Sequence, residues 1–106
     1  MININNAKKL RVVQLLGHKN QYVIIYQQPD NDYVISFYSY DSLIAVYSNN
    51  DEELFINWDK WDYSITTLKH FKEFINKWTC FTYETKMQFI AKINHSESCI
   101  YLFNER

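Results

Sequence analysis

The side chains with which this chain of 106 residues can do chemistry are three histidines, two cysteines and twelve acids, and their spacing decides how much they can do. His95 and Cys99 stand four apart, the separation that lets a helix aim two ligands at one metal, but "HSES" between them reads as a turn. Zinc wants four nitrogen or sulfur ligands, and Cys80 is the only further soft donor, so no metal is expected. Asp59 and Asp62 are spaced as a carboxylate pair for a cation or for acid–base work, yet no third group of suitable type is fixed beside them. Cys80 as a nucleophile needs a base, and His70 sits alone on an expected helix face. Gly17 is the sole glycine, which excludes a phosphate-cradling loop, and G-x-S-x-G, H-E-x-x-H and C-x-x-C do not occur. The reading is of a protein that is not an enzyme, with no catalytic residues, no cofactor and no metal.

The elements that must carry these residues fall into two halves with different periods. From Leu10 to Ile56 apolar residues come in short bursts, "RVVQLL", "QYVIIYQQ", "DYVISFYSY", "SLIAVYS" and "LFINW", divided by "GHKN", "PDND" and "NNDEE". These are strands and turns. Within "DYVISFYSY", Tyr33, Ile35 and Phe37 share one face and Val34, Ser36 and Tyr38 the other. Neighbouring strands pair most readily, so a meander is expected.

From Ser64 the period lengthens. Leu68, Phe71, Ile75 and Trp78, with Phe74 beside them, make an apolar helical stripe, with Lys69, Lys72, Glu73 and Lys77 opposite. Glu73 stands four residues before Lys77, the favourable order for a pair. Residues 85–93, "TKMQFIAKI", fit a helix begun by Thr82 or Thr85 with Met87, Ile90 and Ile93 on one face; they also fit an alternating strand. The helix is preferred, and "CIYLF" makes a final strand.

The fold class is therefore α+β: one domain, residues 1–106, with an antiparallel sheet of four to six strands as a meander. One long helix in the C-terminal half and a second short one pack on one face. The other face stays partly open, with Tyr22, Tyr26, Tyr33, Tyr38, Tyr40 and Tyr47 as candidates to line it.

Net charge is −1, unevenly spread. Lys8, Lys9, Arg11 and Lys19 stand in the first nineteen residues without an acid, whereas residues 20–64 carry eight acids against Lys60 alone. The basic residues thus fall on the N-terminal segment and the helix, away from the tyrosines, which weighs against binding of single-stranded nucleic acid by stacking. Cys80 and Cys99 lie in apolar segments and read as buried thiols of a reducing compartment. "MININNAKKL" has no apolar signal core, and no run is long enough to cross a membrane, so a cytoplasmic location is expected.

"WDKWDYSITTLKHF", Trp58 to Phe71, joins the two halves. Ser64 is a good N-cap, Tyr63 and Leu68 have the spacing of a hydrophobic staple, and Asp62 favours the positive helix end. Trp58 and Trp61 remain, to be either core plugs or exposed anchors.

"SYDSLIA", Ser39 to Ala45, followed by "WDYSITTLKHFKEFI", Trp61 to Ile75, resembles a motif pair of small uncharacterised proteins encoded by phages and prophages of Bacillota. The shared residues are Ser39, Tyr40, Asp41, Leu43, Ala45, Trp61, Asp62, Tyr63, Ser64, Thr66, Thr67, Lys69, His70 and Phe71. The resemblance covers the middle third of the chain and implies no reaction. By analogy with small phage proteins that lack catalytic apparatus, the expectation is a protein working in the bacterial host cytoplasm by binding a host protein and inhibiting it, with anti-CRISPR action on a nuclease as the leading case. The expected interaction surface is Asp30, Asp32, Asp51, Glu52, Glu53, Trp58, Asp59 and Trp61. A single-stranded nucleic-acid-binding accessory protein and a homo-oligomeric phage structural protein are the alternatives.

Overall fold

Alternating apolar residues broken by Asn- and Asp-rich turns leave the first half of the chain one economical solution, a set of hairpins. The computed structural model describes residues 8–15, 18–95 and 99–104. Its order is β1 (Lys8–Leu15), β2 (His18–Gln27), β3 (Tyr33–Ser39), β4 (Ser42–Ser48), β5 (Glu53–Asn57), α1 (Ile65–Trp78), α2 (Lys86–Ile93) and β6 (Ile100–Phe103). The six strands form one sheet in sequence order. The first five pair antiparallel, as the meander reading expects, while β6 lies parallel to β5, Phe55 opposite Tyr101. Two helices between β5 and β6 carry the chain back to the end where β5 begins, and a parallel pair needs such a crossover.

Among the described residues the turns are built without glycine. Asn31, the last but one residue of the β2–β3 connection, stands at φ 68, and Glu52 ends the β4–β5 connection at φ 53. Tyr40 and Asp41, both at positive φ, make the two-residue β3–β4 turn. A pair of left-handed residues matches the twist of a hairpin, which is why such turns tolerate the cost. The turn read at Gly17 lies outside the described residues, and so do three residues of "HSES"; Asn20 belongs to β2.

On the helix side of the sheet Val23, Phe37, Ala45, Leu54, Ile56 and Ile100 pack against Phe71, Phe74 and Ile75 of α1 and Phe89 of α2 in one core. The Phe37 and Phe74 rings stack at 5.5 Å. A bulge in β4 pairs Phe37 with Ala45 and Tyr38 with Leu43, leaving Ile44 as the extra residue, fully buried in the same core. The reverse face holds a second cluster, Ile24, Tyr26, Val34 and Val46 with Tyr22, Tyr38, Leu43 and Phe55 against them, to which neither helix contributes. Of the six tyrosines expected there, Tyr22, Tyr26 and Tyr38 are present. Tyr47 lies in the helix-side core, Tyr33 alternates away from Val34, and Tyr40 sits in a turn. Strand period two separates them.

Ser64 caps α1, its hydroxyl accepting the Thr67 N–H at 3.0 Å. The Glu73–Lys77 pair stands at 3.8 Å. Residues 86–93 are helical because Thr85 and Gln88 form a reciprocal capping box, a bond set no strand offers. Its buried residue is Phe89, with Ile90 and Ile93 half-buried, whereas Met87 faces solvent instead of joining Ile90. The thiols also depart from expectation. Cys80 and Cys99 are both exposed, one just past the end of α1 and the other just ahead of β6.

Candidate interaction surfaces

The connections β2–β3 and β4–β5 lie at the same end of a meander, and one carboxylate joins them. Asp32, 5% exposed, accepts the Ser48 hydroxyl at 2.6 Å and the Asn50 N–H at 2.9 Å. Asn49 N–H donates to Tyr33 C=O at 2.9 Å alongside. Asp32 is thus an internal clasp and is not available as a surface charge. Asp30 accepts the Asp32 N–H at 3.0 Å in an Asx turn while remaining exposed, as do Asp51 and Glu52. Glu53 is half-buried and accepts the Tyr101 hydroxyl at 3.2 Å; its charge, first of all, raises the Tyr101 pKa.

Beside this acidic end opens a polar cavity of about 410 Å³ lined by Tyr47, Glu52, Lys77, Trp78 and Cys80 among others. Tyr47 anchors its wall: its hydroxyl accepts the Cys80 N–H at 3.3 Å. Burial, and then the side-chain hydrogen bond with the Cys80 thiol, push the Tyr47 pKa up to about 12, against the Cys80 backbone N–H, which lowers it.

Trp58, Asp59 and Trp61 are at the opposite end, about 20 Å away along the seven residues of β4. Asn57 shapes this loop, its carbonyl accepting the Lys60 and Trp61 N–H groups and its side chain the Asp59 N–H. Trp61 is 2% exposed, within 5.2 Å of the Phe71 ring and 5.6 Å of Phe89. It is a core residue, not a contact residue. Trp58, 38% exposed, stacks on it at 5.4 Å. Asp62 turns to Lys86 at 2.7 Å and so ties the entrance of α1 to the first residue of α2. The eight residues expected to form one surface therefore divide into two ends and a core.

His70 is buried with Nδ1 2.8 Å from the Thr66 carbonyl, the position of a donating ring nitrogen held within its own helix. Among the described residues no three of His, Cys, Asp and Glu converge as a metal site, and no helix is long and apolar enough to cross a membrane. On the reverse sheet face Tyr22 and Tyr38 stack at 5.3 Å, and the Tyr22 hydroxyl donates to Asp41 at 2.8 Å. The basic strand β1 lies next to this face: Lys9 pairs with Tyr26 in register, nearer the tyrosines than the sequence suggested.

The arrangement is that of a small α+β protein with a helix-covered sheet, a tyrosine-bearing reverse face and an acidic end whose two turns are joined through Asp32. The chain belongs to a family of unknown function, DUF8033, whose model matches residues 5–92. No curated protein and no solved structure matches it.

Proposed function

We propose that the chain is a phage-type binding protein that inhibits a host factor by occupying its surface, with a CRISPR nuclease as the target class. The observation that carries this reading is the Asp32 clasp. It ties two turns together so that Asp30, Asp51 and Glu52 are presented on a fixed backbone beside the Tyr47–Cys80 cavity. A preformed acidic end loses little freedom on binding, and it complements the basic channel in which a nuclease holds nucleic acid. Trp58 at the far end is outside this contact.

The test is guide-directed DNA cleavage by a type II CRISPR nuclease from a Bacillota host, with the protein in excess. Cleavage falls with dose, and an Asp51→Lys/Glu52→Lys variant that keeps the wild-type fold loses the effect. Undiminished cleavage, or equal inhibition by the variant, removes the reading.

One observation favours a second reading. Lys9 on β1 borders the Tyr22, Tyr26 and Tyr38 face, which supports single-strand binding by charge and stacking. It predicts affinity for an oligothymidine that drops steeply with salt and is reduced in Lys9→Glu.

A further inference from the structure

On the reverse face of the sheet the register aligns one row of residues across five strands. Lys9 pairs with Tyr26, Tyr26 with Val34, Val34 with Ser48 and Ser48 with Glu53. Directly opposed residues share a face, so this row stands on the side to which neither helix contributes. A second row runs through Val12, Ile24, Ser36, Val46, Phe55 and Tyr101 by the same pairings. Glu53 is fixed to the face by its bond from the Tyr101 hydroxyl at 3.2 Å, and the Tyr101 ring stacks on Phe55 at 5.2 Å.

Charge enters these two rows at Lys9 and Glu53 alone, one at each flank and of opposite sign. An antiparallel sheet with one solvated face alternates apolar and polar residues, whereas this second face keeps an apolar cluster of its own. Val12, 50% exposed, and Tyr101, 45% exposed, are left in water on it.

The symmetry of the face decides what fits it. Lys9 and Glu53 lie four strand spacings apart, roughly 19 Å, and β3 is midway between β1 and β5. A two-fold axis running along β3, just above the face, turns β1 onto β5 of a second copy and leaves each row at its own level. Lys9 of each copy then faces Glu53 of the other, Val12 faces Phe55, and Ile24 faces Val46. Sheets packed face to face stand about 10 Å apart with their strands nearly aligned, a gap that a lysine and a glutamate side chain span together. A polyanion laid across the same face meets a carboxylate at one flank when it meets the lysine at the other.

We propose that the reverse face is the interface of a homodimer, two copies packed sheet to sheet about an axis along β3, with Lys9 and Glu53 paired reciprocally at both flanks. Such a contact is isologous, one self-complementary patch used twice. Six strands across and the seven residues of β3 along make a face of roughly 24 by 24 Å, so about 1,200 Å² is covered counting both copies. That is the lower bound of a stable specific interface, and half-association falls at roughly 10–100 µM. The contact does not require Asp30, Asp51 or Glu52, and it competes with single-strand binding for the same face.

The test is sedimentation equilibrium of the full chain from about 5 to 500 µM. The mass rises with concentration toward twice the 12.9 kDa of one chain. Lys9→Glu and Glu53→Lys each keep the wild-type circular dichroism and weaken self-association about tenfold, because each sets like charges opposite one another at both flanks. Val12→Asp, at an exposed position, weakens it as well. An equimolar mixture of Lys9→Glu and Glu53→Lys associates as the wild type does, since every opposed pair in the heterodimer is again one cation and one anion. A chain that stays at the monomer mass, single variants that associate like the wild type, or a mixture as weak as its parts overturns the interface. A monomer that binds oligothymidine through Lys9 overturns it too and gives the face to nucleic acid.

Discussion

Ser39 Oγ on β3 and Thr67 Oγ1 on α1 lie 2.8 Å apart, both residues fully buried, and this bond joins the end of β3 to the first turn of α1. The Ser64 hydroxyl donates to Thr67 at 2.9 Å, which leaves Thr67 its own proton for Ser39, and Gln21 donates to Ser39 at 2.9 Å from β2. A chain of polar groups thus runs from the second strand through the third to the N-cap of α1. In a low-dielectric interior such a chain favours this seating of the helix on the sheet, because parting Thr67 from Ser39 leaves both hydroxyls short of a partner.

Thr67→Val keeps the shape and removes the hydroxyl, leaving Ser39 and Ser64 each short of a partner. It should destabilise the domain by about 1–3 kcal/mol in urea denaturation. The double variant with Ser39→Ala should cost clearly less than the sum of the two singles. Additivity within about 0.5 kcal/mol would mean the two hydroxyls do not interact.

Trp61 and Trp58 should part company under truncation. Trp61→Ala empties a site enclosed by Phe71 and Phe89, at a cost of about 3–5 kcal/mol, and the near-UV circular dichroism of the folded state collapses or its urea midpoint falls sharply. Trp58→Ala removes a half-covered ring from the outside of the same stack and leaves the fold standing. Equal losses would place both rings in the core.

These residues also mark how far the sequence could be read. Strand alternation gave Val34 and Phe37 their opposite faces, and the helical stripe with the Ser64 cap gave α1, because both signals are local. Residues 85–93 were ambiguous by periodicity, yet Thr85 and Gln88 already carried the capping-box spacing that decides for helix. What stayed hidden depends on distant partners. Asp32 reads as one more solvated turn acid until Ser48 and Asn50 are known to approach it. Trp58 and Trp61 are chemically alike, and only the position of Phe71 and Phe89 tells them apart. The shared row of Lys9 and Glu53 carries no local signal at all, since it is a property of register across five strands.

Alkaline pH should loosen the fold in a defined window. Burial, and then contact with Asp41, raises the Tyr22 pKa from 10.0 to about 12, and burial followed by a bond to Tyr26 raises that of Tyr38 likewise. Tyr47 is raised to about 12 and Tyr83 in the same direction. A raised folded pKa means the native state holds protons the unfolded chain releases. The stabilisation is complete below pH 10 and is lost as pH climbs from 10 through 12. Urea midpoints measured across this range should fall steadily, and absorbance at the phenolate band should rise together with loss of the near-UV signal. A midpoint that is flat across the window would refute the raised values.

Asp32 allows structure and binding to be separated at the acidic end. Asp32→Ala leaves Ser48 Oγ and the Asn50 N–H without their acceptor, so stability falls by about 2–3 kcal/mol and amide exchange at Asn50 quickens. Asp51→Lys/Glu52→Lys alters only exposed side chains and should shift stability by less than about 0.5 kcal/mol. If the end is a contact surface, both variants lose binding to the same partner, the first through a slackened backbone and the second through reversed charge. The distinguishing readout is association rate against ionic strength: the Asp32→Ala protein retains the salt dependence of the wild type, whereas the reversed protein inverts it, because steering follows the exposed charges and not the clasp beneath them. A reversed protein that associates at the wild-type rate at low salt would show that these acids do not meet the partner.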